Sequence, residues 1–159
     1  MFKAINLKKM FMSILIVIII GGVFLAIASG GMSRVFTEFT TPDSTLPISV
    51  MIITFFVLFV LKGVSLYFTQ GSGASKDIKL GARNRFWLQM LFFVAWLILF
   101  FNLQSFGFSA IWMLLTIVLI GICIKKFASI SKGAAYLLVP HLLFCLYLLY
   151  LNYGTMMLN

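Results

Sequence analysis

Five runs of apolar residues, joined by more polar connections, make up most of the chain. Each run holds about 17–25 residues, the length that a helix needs to cross the hydrocarbon layer of a bilayer. The pattern therefore predicts an all-α membrane protein, a bundle of five transmembrane helices that forms one domain over residues 1–159. The predicted spans cover residues 11–29, 47–68, 86–103, 108–124 and 134–156.

The composition is that of an integral membrane protein rather than of a soluble domain. Hydrophobic residues make up 63% of the chain and charged residues only 9%, which is more apolar surface than a soluble fold of this size can bury. Three acidic residues and a single histidine, His141, are too few for a metal site within one chain. No Ser-His-Asp set and no glycine-rich phosphate loop is present, so we expect no enzyme activity and no required cofactor.

Basic residues are concentrated in three of the segments that flank the predicted spans. The positive-inside rule places such segments in the cytoplasm, which predicts a cytoplasmic N-terminus, an outside C-terminus and residence in the cell inner (plasma) membrane. The net charge of +9 therefore reports orientation in the lipid bilayer, and we expect no nucleic-acid partner. Ten of the twelve basic residues lie in these segments: Lys3, Lys8, Lys9, Lys76, Lys79, Arg83, Arg85, Lys125, Lys126 and Lys132.

The first span and the connections beside it allow more than one interpretation. The lysines before it and the small residues at 26–28 (Ala-Ile-Ala) resemble a signal peptide with its cleavage site. We interpret the run instead as the first transmembrane helix, with Gly21 and Gly22 permitting a close neighbour. Residues 30–46 then form a long first loop, which we expect to fold over one mouth of the bundle as a lid. Residues 70–85, rich in glycine and serine and then basic, predict a flexible connection.

Two polar side chains inside predicted spans are candidates for contact with a ligand. Asn152 carries an amide that is costly in hydrocarbon unless it has a partner or lines a cavity, so we expect it to face the bundle interior. Lys62 lies in the second span and shares a helical face with Phe55 and Phe59. Its side chain either snorkels to the near end of the helix or faces inward and pairs with an anionic group of a ligand.

Several stretches carry motifs in a distinctive order. Residues 140–153 read Pro-x-Leu-Leu-Phe-x-x-x-x-x-Tyr-Leu-Asn-Tyr, and residues 89–101 read Gln-x-x-x-x-x-x-Trp-x-x-Leu-Phe-Phe before Gly107. In order and spacing these motifs resemble the fifth helix, and the third helix with its turn, of the TspO/MBR family, the translocator (peripheral benzodiazepine receptor) proteins. The resemblance extends over residues 34–157, and the first loop and second helix contribute Pro42, Thr45, Pro47, Val50, Leu58 and Gly63.

The resemblance implies an integral membrane receptor or carrier that binds a hydrophobic ligand in an aromatic cavity within the bundle. The implied ligands are tetrapyrroles such as porphyrin or haem, with sterols as a further class, and the implied assembly is a homodimer. Lys62 is added to the matching positions as the candidate partner of an anionic group. The predicted site is then lined by Phe55, Phe59, Lys62, Phe93, Trp96, Phe144, Leu148 and Asn152.

Departures from the family pattern leave a second interpretation open. Leu148 stands where the family has Ala, which narrows the site, and Phe93 stands where it has Asn. Phe55 replaces a Trp, and Lys62 replaces a Met. No basic residue follows Tyr150, so the sterol-recognition pattern of the family is incomplete. The alternative function is a small structural or assembly subunit of a membrane complex with no ligand cavity.

Overall fold

The computed structural model describes residues 5–159, and the regular structure of these residues is entirely helical. Five stretches within them are long and apolar enough to cross a membrane, which confirms the predicted fold. Lys3, one of the lysines used to predict the topology, lies outside the described residues. The helices are α1 (Leu7–Glu38), α2 (Ile48–Gln70), α3 (Lys76–Leu97), α4 (Phe106–Ala128), α5 (Lys132–Tyr136) and α6 (Val139–Leu158), and a π-helical turn, Ile98–Asn102, extends α3.

The spans are arranged as a ring around a shared core. α1 packs most extensively against α2, α3 packs against α4, and α4 packs against α6. The π-helical turn after α3 packs on α1 and closes the ring, while α5 contacts both α2 and α4. α2 and α6 make few direct contacts with each other. The order around the ring is therefore α1, α2, α5 with α6, α4 and α3.

The prediction of a long first loop is wrong, because α1 continues as far as Glu38. The buried face of the helix continues through the expected loop, since Ala28, Met32 and Val35 are buried and lie four and three residues apart. The chain leaves the helix at Phe39, whose backbone is extended, with φ −114° and ψ 148°. The connection to α2 is therefore short and consists of residues 39–47.

The second connection is also shorter than predicted. Its glycine- and serine-rich part is confined to residues 71–75, and α3 begins at Lys76. Asp77 lies in the first turn of α3, where a negative charge is favoured by the positive end of the helix dipole. Ala82 and Phe86, one helical turn apart, are buried and anchor the basic part of α3 to the core.

The fifth span consists of two helices, because a turn at residues 137–138 interrupts the helix. Pro140 explains the break: its ring offers no N–H to the carbonyl of Tyr136 and would clash with it in a continuous helix. α6 therefore starts as a new helix with the proline in its tolerated first turn. α5 is held on α2 by the Ser65 hydroxyl, which donates to the Ala134 carbonyl at 2.6 Å.

Two glycines allow α1 to approach the rest of the bundle closely. A Cβ atom at Gly21 would lie 2.5 Å from the ring of Phe59, and one at Gly31 would overlap the carbonyl of Phe101 in the π-helical turn. Only glycine leaves room for these neighbours. The close neighbour predicted for Gly21 is thus Phe59 of α2, whereas Gly22 faces open space.

Candidate functional site

All eight residues predicted to form the site lie in the interior of the bundle. Helical spacing explains this for α2, where Phe55, Phe59 and Lys62 follow one buried face. Phe93 and Trp96 follow a buried face of α3 in the same way. α6 contributes Phe144, Leu148 and Asn152, of which only Phe144 keeps measurable exposure, 9%.

Five of these residues form a buried aromatic cluster between α2, α3 and α6: Phe55, Phe59, Phe93, Trp96 and Phe144. The ring centroid of Phe55 lies 5.4 Å from that of Phe144 and 5.9 Å from that of Phe93. Phe93 in turn lies 6.4 Å from Phe59 and 6.5 Å from Trp96. These separations are typical of favourable ring contacts. The space between the three helices is therefore occupied by touching rings.

Asn152 has protein partners at both ends of its amide. Its Oδ1 accepts a hydrogen bond from the Trp96 indole N–H at 2.9 Å, and its Nδ2 donates to the Phe106 carbonyl at 2.7 Å. The prediction that Asn152 faces the bundle interior is confirmed. Because the amide joins α6 to both α3 and α4, it contributes to holding the three helices together.

Lys62 points into the bundle, so the alternative in which it snorkels is wrong. An acceptor is available inside: Nζ donates to Gln89 Oε1 at 3.2 Å. Nζ also lies 3.5 Å from the Met90 sulfur and 4.9 Å from the centre of the Phe93 ring. None of these three partners carries a negative charge. A buried amine held only by neutral groups is costly, and such positions in membrane spans are usually functional.

Two more polar side chains lie beside Lys62 that sequence patterns alone did not assign to the site. The ring of His141 packs edge-on against that of Phe93 at 4.6 Å, and Gln89 is the Lys62 acceptor. Gln89 Nε2 and His141 Nδ1 are buried without a hydrogen-bond partner among residues 5–159. Helical spacing was a usable signal for both, since Gln89 precedes Phe93 by four residues and His141 precedes Phe144 by three. Lys62, Gln89 and His141 form what we term the polar cluster.

An open groove lies between α2 and α6, beside the aromatic cluster, with a volume of about 500 Å³. Phe144, a member of the aromatic cluster, lines the groove and also contacts Phe55, so its ring lies between the groove and the rest of the cluster. The groove lies where α2 and α6 make few direct contacts. Its other lining residues include Ile53, Val57 and Leu61 of α2 and Pro140, Leu143 and Tyr147 of α6.

The connection between α1 and α2, residues 39–47, is tied to α6. The Leu46 N–H donates to the Tyr147 hydroxyl at 2.8 Å. The Asn159 side chain accepts from the Thr40 N–H at 2.9 Å and donates to the Thr40 carbonyl at 2.8 Å. Tyr147 therefore anchors this connection and lines the α2/α6 groove at the same time.

Comparison with known proteins identifies the family. A model of the TspO/MBR family matches residues 13–158, nearly the whole chain. The chain belongs to this family. The resemblance drawn from its motifs is thus confirmed, and the protein is a multi-span membrane protein of a family of receptors and binding proteins rather than of enzymes. One relative is the Tryptophan-rich protein TspO of Chlorobaculum tepidum, 31% identical over 104 residues. The match covers 65% of this chain and 65% of that relative's length.

The three tryptophans of this TspO/MBR-family protein differ in their position relative to the aromatic cluster. Trp96 belongs to the aromatic cluster and donates to Asn152. The indole of Trp112 on α4 donates to the Phe92 carbonyl at 2.9 Å, outside the cluster. Trp87 lies nearer the start of α3 and is partly exposed. Trp96 is therefore the tryptophan whose fluorescence reports on the predicted site.

Proposed function

We propose that this TspO/MBR-family protein is a membrane receptor or carrier for a hydrophobic, anionic and planar ligand of the tetrapyrrole class, a porphyrin or haem. The observation that carries the proposal is the polar cluster at the edge of the aromatic cluster. Lys62 has only neutral partners, and Gln89 and His141 each keep an unpaired nitrogen. An anionic group on a ligand supplies the negative charge and the acceptors that these side chains lack.

The α2/α6 groove supplies a route from the lipid to the polar cluster. Its volume falls within the range of small-molecule sites, about 300–1,000 Å³. A rotation of the Phe144 ring would join the groove to Phe55, whose neighbour Phe93 carries Lys62 above its face. We infer that the ligand enters between α2 and α6 and that the aromatic rings separate to receive its planar body.

The first test is a titration of the purified protein with protoporphyrin IX, followed by quenching of Trp96 fluorescence. Trp87 and Trp112 are replaced by phenylalanine so that Trp96 alone reports. We expect saturable quenching, and we expect Phe144→Ala to weaken binding about tenfold because one aromatic contact is lost. Phe11→Ala, which removes an exposed aromatic side chain of α1, is the matched control. Linear quenching that is the same in both variants would show nonspecific partitioning and contradict the proposal.

A second titration isolates the role of Lys62. The dimethyl ester of protoporphyrin IX keeps the planar ring but has no negative charge. The native protein should prefer the free acid, and Lys62→Met should abolish that preference because the buried amine is lost. Lys126→Met, a lysine of α4 outside the site, should keep it. Equal affinities of the native protein for acid and ester would mean that Lys62 meets no anionic group.

A structural or assembly subunit is the second candidate function, and the close packing of the aromatic cluster favours it. The rings of Phe55, Phe93 and Phe144 already touch one another or a common neighbour, and Leu148 is fully buried beside them. Under this alternative the rings do not separate and no ligand enters. It predicts linear quenching by protoporphyrin IX and a stable protein partner within the membrane.

We also propose that the protein lies in the inner membrane, with the basic ends of its helices in the cytoplasm. Single cysteines introduced at Ser72 and Ser105, in connections at opposite ends of the bundle, test this in a background without native cysteines. A membrane-impermeant thiol reagent added from outside should label Ser105→Cys and leave Ser72→Cys unlabelled.

We also propose a homodimer, for which Gly22 on the open face of α1 is a candidate contact. Gly22→Leu should then shift the mass in detergent to that of a monomer.

A further inference from the structure

A cleft at the basic end of the bundle is separate from both the aromatic cluster and the α2/α6 groove. Its volume is about 810 Å³, and it opens between the starts of α1 and α3 and the end of α2. Part of its lining is apolar and comes from side chains that lie one or two helical turns further from the basic end. Four basic side chains line the cleft: Lys8, Lys9, Lys79 and Arg83.

The change from charged to apolar lining follows the same spacing on two parallel helices. On α1, Lys8, Met12 and Ile16 lie four residues apart and share one face. On α3, Arg83 and Trp87 are also four residues apart. α1 and α3 both begin at the basic end, so both faces lead from a cationic rim toward the apolar middle of the membrane spans. A ligand that matches this gradient has an anionic head and an apolar tail.

The cations around the cleft have no acidic neighbour in its lining, which consists of described residues only. Asp77, the acidic residue of this end, is exposed in the first turn of α3 and does not line the cleft. The cleft is held in shape by hydrogen bonds between its helices. Tyr67 Oη accepts from the Asn6 N–H at 2.8 Å, and Gln70 Nε2 donates to the Lys79 carbonyl at 3.1 Å. Basic side chains held around one opening repel one another and are stabilised by a bound anion.

We propose that this cleft binds an anionic phospholipid, with the phosphate among the four basic side chains and an acyl chain along Met12 and Ile16. A lipid is favoured over a soluble phosphate compound because these two apolar side chains are 48% and 45% exposed on the outer surface of α1. They extend the apolar lining of the cleft out toward the bilayer. The positive-inside rule assigns this end to the cytoplasmic leaflet, which holds the anionic lipids. The proposal is independent of the tetrapyrrole site.

The test is native mass spectrometry of the full chain released from nanodiscs with equal amounts of phosphatidylglycerol and phosphatidylcholine. The protein should retain phosphatidylglycerol preferentially, and Lys79→Gln/Arg83→Gln should lower that retention about tenfold or more. Lys125→Gln/Lys126→Gln is the matched control, because it removes the same charge from the same end outside the cleft. Equal losses in the two double variants, or equal retention of the two lipids, would overturn the proposal.

Trp87 gives a local measurement, because it lines the cleft. Phospholipids with brominated acyl chains quench a tryptophan that they contact. Brominated phosphatidylglycerol should quench more than brominated phosphatidylcholine, and Trp87→Phe should remove that difference while Trp112→Phe keeps it. An excess of glycerol 3-phosphate distinguishes the two sources of phosphate. Persistence of the difference supports a lipid, and its disappearance would mean that a soluble phosphate compound is the ligand and that the lipid assignment is wrong.

Discussion

Asn152 and Lys62, two fully buried polar side chains of the bundle interior, differ in how well their hydrogen-bonding groups are satisfied. Further from the basic end, Asn152 pairs with both the Trp96 indole and the Phe106 carbonyl. Nearer the basic end, Lys62 has a single amide acceptor without charge, Gln89, which itself keeps an unpaired nitrogen. Both side chains are fully buried, so burial alone does not account for the difference.

The comparison separates a structural role from a functional one. A buried polar group whose hydrogen bonds are satisfied costs little and fixes the helices that it joins. A buried amine with neutral partners lowers stability, and a methionine at the same position would avoid that cost. Asn152 therefore has a structural role, and a ligand group is expected beside Lys62.

Asn152→Ala should have the largest effect on stability. The substitution leaves the Trp96 N–H without its acceptor and opens a cavity between three helices, so we expect the free energy of unfolding to fall by about 3 kcal/mol. Thermal unfolding in detergent measures the change. Asn84→Ala removes an exposed asparagine of α3 and should change stability by less than about 0.5 kcal/mol. Equal effects of the two substitutions would mean that the Asn152 contacts do not hold the helices.

Lys62→Met should act in the opposite direction and raise the free energy of unfolding by about 1–2 kcal/mol. The buried amine is replaced by an apolar side chain of similar length, and only its contacts with the neutral groups of Gln89, Met90 and Phe93 are lost. The same unfolding assay measures the gain, with Lys126→Met as the control that removes a partly exposed lysine. A loss of stability would show that the amine is well satisfied in the folded protein, and the contrast between Lys62 and Asn152 would disappear.

Gln89→Glu should have the smallest effect on stability, within about 1 kcal/mol, because the attraction to Lys62 is offset by burial of the carboxylate. Its effect on binding should be clear, since Lys62 then has an internal anionic partner. We expect the preference for protoporphyrin IX over its dimethyl ester to be lost. Gln104→Glu adds the same charge in the connection before α4 and should leave the preference intact. A preference that survives Gln89→Glu argues that ligand carboxylates bind elsewhere.

Much of the fold could be predicted from the sequence, because span number and side-chain facing depend on local patterns. Apolar run length predicted five spans, and helical spacing placed Phe55 and Phe59 on a common face. Phe93 and Trp96 were predicted from the family resemblance, and both lie on a buried face of α3. The end of α1 was missed because glycines at 30–31 suggest a loop. The close approach of Gly31 to the π-helical turn, in the part of α1 where a loop was expected, is a contact between distant parts of the chain.

The candidate site was predicted less completely, because its details depend on partners from other helices. Spacing put Lys62 on the right face, but its inward direction is explained by Gln89 of α3. His141 belongs to the site through its contact with Phe93, again between helices. How closely the rings pack depends on ångström-scale fit between α2, α3 and α6, which no periodicity in one helix encodes.

The ties between residues 39–47 and α6 join parts of the chain that are synthesised at different times. Leu46 and Tyr147 are 101 positions apart in the chain. At about 5–20 residues per second, Tyr147 is made about 5–20 seconds after Leu46. The connection between α1 and α2 is therefore complete, with both helices already made, before its hydrogen-bond partner in α6 is synthesised. Its resistance to protease during synthesis therefore marks the moment at which the whole bundle has assembled, and a chain stalled before α6 should be cut there.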